Sequence, residues 1–240
     1  MFSPEITAFW RAPFQGETIR GTDGFTVTIN PALAPARPVE VLTRQDGTVA
    51  AAVTAEVDAR LGLPGGARLD AGAFRERLAF AGLELHDPDC LFYFTDEAIA
   101  ELRDEPTPEG IRQLTSDDAD LFSRFTAAAS AADLDEAYVE LDHWAVFGAL
   151  AEGRLACVAS AYPWRDGLLA DIGVLTLPQF RGRGLARHVV RSISRHADLQ
   201  GFRPQYRCQP ANAGSRAVAA AAGLTYFGRW EVVLQNPEGD

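Results

Sequence analysis

Residues 168–199 constrain this chain more than any other stretch. An apolar run over 168–177 ends at Pro178, a short loop carrying Gly182 and Gly184 follows, and a helical period begins inside that loop. Leu185, Val189, Ile193 and Ala197 recur every four residues, which predicts a helix from about 184 to 199. The first amides of such a helix lack intrahelical partners, and the glycines let a ligand approach the backbone closely. Arg181 and Arg183 add guanidinium groups suited to phosphate. The segment therefore predicts an anion site, with a solvated glycine turn as the plain alternative. It is neither of the common nucleotide loops. Walker A requires a lysine, and all 22 basic residues here are arginine. The dinucleotide fingerprint opens a parallel unit and is followed by a ribose-binding acid, whereas this loop comes late in the chain.

Charge narrows the ligands. A net charge of -11 argues against general affinity for nucleic acid or for an anionic membrane surface. Its distribution is uneven: residues 179–216 carry eight arginines against Asp198, and residues 105–142 carry ten acids against Arg112 and Arg124. One region would receive an anion and the other a cation, unless both are ordinary solvated helix faces. With 47% apolar and 23% charged residues the chain reads as globular, long enough at 240 residues for one large domain or two small ones. No apolar run approaches a membrane span, and the N-terminal stretch carries Glu5 without the basic-then-apolar layout of a signal peptide. Cys90, Cys157 and Cys208 are odd in number and scattered, which predicts neither a disulfide frame nor a metal site and favours the cytoplasm.

Along the chain, residues 25–30 alternate as a strand, and 39–44 with 48–54 flank Gln45-Asp46-Gly47 as a hairpin. Asp70 would cap a helix over 71–81, and the aromatic run 91–94 reads as a buried strand. The charged, doubly proline-broken stretch Asp104-Glu105-Pro106-Thr107-Pro108-Glu109-Gly110 suggests a boundary between a small α/β domain (1–104) and a second domain (105–240). Beyond it the pattern predicts a strand at 111–114, a helix capped by Ser116, and a helix over 133–141. Strands at 145–150, 155–162 and 168–177 come next, the last after the turn Arg165-Asp166-Gly167; then the helix at 184–199, a strand at 204–208, a helix at 213–222 and a strand at 225–234.

In this setting Gln179-x-x-Gly182-x-Gly184 resembles the [RQ]-x-x-G-x-[GA] motif of the GNAT acyl-CoA N-acetyltransferase superfamily. The stretch from Gln205 through Cys208, Asn212 and Ser215, followed by Ala222-Gly223-Leu224, is similar to the family's later strand, asparagine-led helix and glycine turn, and looks closest to its glycine N-acyltransferase-like branch. The element order is also the family's, and the resemblance covers roughly 109–234. It implies a mixed α/β fold with a mostly antiparallel sheet and a splayed central strand pair. The amides of Arg181, Gly182, Arg183, Gly184, Leu185 and Ala186 would hold the CoA pyrophosphate, while Val174, Leu175 and Thr176 would pair with the pantetheine arm. Asn212 and Ser215 would touch that arm or simply cap the helix.

The implied reaction is attack of an amine on the thioester of acetyl-CoA or another acyl-CoA, with no metal, on a small-molecule or peptide acceptor. A backbone amide of the splayed strand, such as that of Leu175, would polarise the carbonyl. Asp171 lies about where relatives carry a basic carboxylate, one position off in register. Glu140, Asp142 and His143 form a second candidate group, with His143 able to titrate near neutrality and equally suited to a structural role. Trp144, Tyr162 and Trp164 would line an acceptor pocket or belong to the core. The pattern departs at Ala219, where many members place a tyrosine that protonates sulfur; Tyr206 and Tyr226 are nearby substitutes. Two readings follow: an N-acyltransferase, and a CoA-binding regulatory module that has lost turnover. The first 104 residues stay without a role, whether in shaping the acceptor pocket, in pairing two copies of the chain, or as a decayed copy of the same fold.

Overall fold

A computed structural model describes residues 1–22, 24–62, 69–165 and 167–234; of the expected turn at 165–167, Asp166 lies outside the described residues. The chain forms two compact units. One comprises Ile6–Leu91, Gln209–Ala211 and the chain from Tyr226 on; the other comprises Met1–Glu5, Phe92–Cys208 and Asn212–Thr225. This differs from a cut at 104/105 in two ways. Residues 92–104 go with the second half, because Arg103 forks onto the buried Asp198 at 2.6 and 3.2 Å. The last strand goes with the first half.

In the first unit the sheet order is β1 (Glu17–Thr22), β2 (Phe25–Ile29), β4 (Val49–Val53), β3 (Val39–Arg44), β11 (Thr225–Val233). β3 and β4 form the expected hairpin, with Gly47 at φ 83° in its turn. β11 lies antiparallel to β3, from Gly228 opposite Arg44 to Val233 opposite Val39. Helices α2 (Ala55–Leu61) and α3 (Ala71–Phe80) start at Thr54 and Asp70, whose side chains accept from Val57 N and Ala73 N. They bury Val57, Leu61, Phe74 and Leu78 against Val27, Val41, Ala51 and Val53. Helices α1 (Pro4–Arg11) and α2, and strand β1, were not expected from the sequence.

In the second unit the order is β5 (Asp89–Tyr93, of which Phe92 and Tyr93 belong to this unit), β10 (Arg203–Cys208), β9 (Leu169–Thr176), β8 (Arg154–Trp164), β7 (Ala145–Ala151), β6 (Ile111–Gln113). β6 to β9 are antiparallel; β9 and β10 are parallel. Helix α4 (Asp96–Arg103), also unexpected, starts at a Thr95 cap. Helices α5 (Ala119–Ala127) and α6 (Ala131–Ala137) pack Phe125, Leu134 and Ala137 with Val158 and Leu175. Helix α7 (Leu185–Leu199) packs on β7 to β10, and α8 (Ala213–Ala222) packs on α7 and β10. Among the described residues no helix is long and apolar enough to cross a membrane.

Two helix starts differ from expectation. Thr115, not Ser116, is the cap: Asp118 accepts from Thr115 N at 3.0 Å in a capping box, and Arg112 forks onto Asp118 at 2.8 and 2.6 Å. These donors hold the Asp118 carboxyl down at about 2. The α6 helix begins after Ser130, which accepts from Asp133 N at 3.1 Å, and stops at Tyr138 with φ 46°. A cap one turn earlier satisfies a free amide that Asp133 could not.

Candidate functional site

The β9–β10 ladder runs from Leu169 opposite Arg203 to Ile172 opposite Tyr206, and there it ends. On its other side β9 stays paired with β8 as far as Thr176 opposite Cys157. From Gly173 to Thr176, β9 therefore offers one backbone edge that β10 does not use. That edge opens on a cavity of about 530 Å³, lined by Val174, Leu175, Thr176, Tyr206 and Ser215 among others.

The cavity continues to the glycine bend. Gly182 and Gly184 have φ of 77° and 75°, the left-handed region that glycine adopts without a Cβ penalty. Gly184 is the residue before α7, so the bend aims the first α7 amides at the cavity wall formed by Gly182, Gly184, Leu185 and Ala186. The amphipathic pattern of α7 anchors this end by burying Val189, Ile193 and Ala197. Arg181 also lines the cavity, giving Nε to Thr176 O at 3.0 Å and Nη2 to Asp133 Oδ1 at 3.0 Å. Arg183 differs: its guanidinium lies 5.0 Å from the Phe180 ring centroid and 3.5 Å from Glu152.

Asn212 caps α8 by accepting from Ser215 N at 2.8 Å, and gives its amide to Glu136 Oε1 at 2.5 Å. The cap reading and the cavity reading thus hold together, since Asn212, Ser215 and Glu136 all line the cavity. Glu136 and Asp133, on α6, were not singled out in the sequence; their membership in the acidic run was the only signal. Gly173 permits α6 to sit there at all. A Cβ on it would lie 2.0 Å from Ala137 O. Gly173→Ala is expected to displace the end of α6 and cost about 1–3 kcal/mol, which a thermal melt reads as a lowered Tm.

The three candidate catalytic side chains lie along one face of the sheet. Ser160 sits opposite Gly173, the first residue past the fork. Its Oγ lies 2.8 Å from His143 Nδ1 and accepts from Glu140 N at 3.3 Å. His143 Nε2 is 4.0 Å from Glu140 Oε2, and the ring packs at 5.0 Å against both Tyr138 and Tyr162. Burial lowers the His143 pKa, partly offset by Glu140 and Asp142, so the imidazole is neutral at neutral pH.

Asp171 occupies the same face but its carboxylate is fully engaged. Arg207 Nη2 reaches it at 2.7 Å, Gln205 Nε2 at 2.9 Å and Tyr162 Oη at 3.2 Å. Tyr93 in turn donates to Gln205. The sequence offered Asp171 as a base; its geometry is that of an ion-paired positioning group, because each lone pair already has a donor. Of the aromatic candidates, Tyr162 packs on His143, Trp164 stacks beneath Arg207 at 4.8 Å, and Trp144 packs on Phe202 at 4.6 Å. Cys157 is fully buried and its thiol is pushed up to about 12, so it is no nucleophile.

A family model described as an acetyltransferase (GNAT) domain matches residues 77–225. Among solved structures, the chain is similar to a GNAT-family protein from Novosphingobium aromaticivorans (21% identity, TM-score 0.44, 64% of this chain and 66% of that one). It is also similar to an acetyltransferase of the GNAT family from Colwellia psychrerythraea (19%, TM-score 0.47, 63% and 57%). A third is the aminoglycoside N-acetyltransferase AAC(6')-Iy in complex with CoA (27%, TM-score 0.37, 47% and 89%). The matched part spans less than two thirds of each of the first two. A search of curated proteins finds no significant match.

Proposed function

Because this chain belongs to the GNAT acetyltransferase family, we propose that it transfers an acetyl or other acyl group from acyl-CoA to a primary amine of a small molecule or peptide, by direct attack. The observation that carries this is the fork between β9 and β10, continuous with the glycine bend through a single cavity of about 530 Å³. An extended thiol arm pairs with the β9 edge at Val174 and the Thr176 amide as an added strand would, and the diphosphate takes the α7 amides. The donor set is chemically apt: unpartnered amides and Arg181 for phosphate, apolar Val174 and Leu175 for the arm.

In this reading the protein's work is placement, proton removal and polarisation. A β9 edge amide, that of Val174 rather than that of Leu175, whose N–H turns to β8, donates to the thioester oxygen as charge develops on it. His143 takes the proton of the attacking amine: it is neutral, it is held by Ser160 at the level of Gly173, and Glu140 stabilises the imidazolium that results. Asp171 orients Tyr162, which packs on His143. The acidic run that includes Glu140 and Asp142 favours a cationic acceptor.

Calorimetry with CoA, followed by thiol release monitored with DTNB over a panel of amines, tests the reading. Binding with amine-dependent release is expected; no heat with CoA sinks it. The alternative, a CoA-binding module without turnover, is favoured only by Ala219, which is fully buried and carries no hydroxyl. It predicts binding and no release.

The base assignment adds a pH signature. His143→Gln is expected to lower kcat/KM about 100-fold and to abolish the acid limb of the wild-type profile. That limb lies below the ordinary histidine value, because burial lowers the His143 pKa. His143 and His196 both titrate low for the same reason, so the folded form resists protonation while the unfolded chain accepts it. Stability is therefore full above about pH 6.5 and falls as pH drops below it, which melts over a pH series will show.

A further inference from the structure

The free edge of β9 is already engaged at one point by a side chain of the glycine bend. Leu177 N donates to Ala156 O at 3.0 Å, so the odd positions of β9 turn to β8, and Val174 and Thr176 turn to the cavity. The last acceptor on that edge is Thr176 O, and Arg181 Nε takes it at 3.0 Å. The same guanidinium gives Nη2 to Asp133 Oδ1 on α6, also at 3.0 Å. One side chain thus bridges two walls of the cavity, the β9 edge and α6. Hydrogen bonding from Ser130, and then from Arg181, holds the Asp133 carboxyl below its ordinary value, so it is ionised at neutral pH. The pair is open to water, with Arg181 52% and Asp133 30% exposed, which keeps it weak and exchangeable. A second tie, Glu136 to Asn212 at 2.5 Å, joins α6 to the start of α8 without using Arg181.

We propose that Arg181 is a partner-exchanging plug: held by Thr176 O and Asp133 it occupies the end of the β9 edge, and it leaves both to take the diphosphate, which frees Thr176 O for an amide of the thiol arm. The proposal rests on the acyl-CoA reading and deepens it, by coupling the two halves of the cavity through one side chain. A guanidinium suits the exchange, because its planar fork meets a carboxylate and a phosphate with the same geometry. Asp133 is the built-in competitor. While it holds Arg181 the bend offers a diphosphate only backbone amides, and the affinity for CoA is reduced by the fraction of Arg181 so committed. A ligand with the arm alone has nothing to draw Arg181 away, and finds Thr176 O occupied.

Calorimetry with CoA, and ligand-observed NMR with millimolar pantetheine, which has the arm and no diphosphate, test the exchange. Arg181→Met keeps the stem and removes the donors. It is expected to weaken CoA about tenfold yet tighten pantetheine about threefold, because Thr176 O then stands open. Asp133→Ala is expected to tighten CoA about fivefold. Asp135→Ala, which removes an exposed acid of the same helix outside the cavity wall, should shift it by less than about twofold. In Asp133→Ala the Glu136–Asn212 tie and the close seat of Ala137 on Gly173 still hold α6. Should that variant not fold, Asp133→Asn removes the charge and keeps the shape, with a smaller gain expected. Pantetheine affinity that falls, or stays level, in Arg181→Met overturns the proposal, since a guanidinium that serves only phosphate would not bar an uncharged arm. Weaker CoA binding in Asp133→Ala or Asp133→Asn overturns it as well, because the carboxylate would then be aiming Arg181 at phosphate. Either result with wild-type CoA binding intact leaves the transferase reading standing, whereas no heat from wild-type protein with CoA overturns both.

Discussion

Gly182→Glu is expected to lower the affinity for CoA by two orders of magnitude or more, with the calorimetric heat lost at ordinary concentrations. A Cβ at Gly182 meets no atom within 4 Å, so the new side chain finds open space rather than protein, on the cavity wall that Gly182 shares with Leu185 and Ala186. A carboxylate about 5 Å from a phosphate charge costs about 3 kcal/mol at a surface-like effective dielectric, which is already a factor of about 100. Fold stability should barely move. The left-handed φ of 77° costs a residue with a Cβ about 1–2 kcal/mol. An acid beside a helix N-terminus returns about 0.3–1 kcal/mol of that. Gly182→Ala is the control, since it carries the strain without the charge. If the two variants bind CoA equally, the bend is not where the diphosphate sits.

Asp171→Ala is expected to destabilise the second unit by about 3 kcal/mol, the lower end for breaking a buried pair. Asp171 is 9% exposed and Arg207 20%, so a guanidinium deprived of this carboxylate reaches some water. The Gln205 amide, fully buried, does not. A drop in Tm on the order of 6–12 °C follows for a chain of this size. The double variant Asp171→Leu with Arg207→Met should recover part of that, because no guanidinium is left without its carboxylate while the buried Gln205 amide still lacks its acceptor. Recovery of stability without recovery of activity would separate the fold's need for this pair from the site's need for an oriented Tyr162. If the double variant melts no higher than the single one, the pair is not what the fold requires there.

The most local features were the most legible. The α7 pattern and the glycine bend sit within twenty residues, and the periodicity that predicts the helix also decides which side chains it buries. The β3–β4 hairpin was legible because Asp46-Gly47 specifies its own turn. Helix α4 was missed although Thr95, Asp96 and Glu97 spell a capped, acid-led start. Its eight residues lie just before the proline-rich stretch at 104–110, which dominated the reading. The α6 start was misplaced because four polar residues compete for the cap between 130 and 136, and only packing against Gly173 selects among them. What stayed invisible was non-local. Nothing near Asp171 announces that Arg207, thirty-six positions on, will occupy its carboxylate. Nothing near Ala145 announces where the β9–β10 ladder stops, which defines the cavity.

The antiparallel register of β3 with β11 also governs the order in which this polypeptide can mature. Trp230 donates to Glu40 at 3.0 Å across a separation of 190 positions, and Glu231 holds Arg75 at 2.6 Å. During vectorial synthesis the hairpin of β3 and β4 leaves the ribosome long before its third neighbour is made. Its β3 backbone edge must wait, protected or exposed, through translation of the second unit. Nascent chains stalled before Thr225 should accordingly engage holdase chaperones that chains released after Leu234 escape.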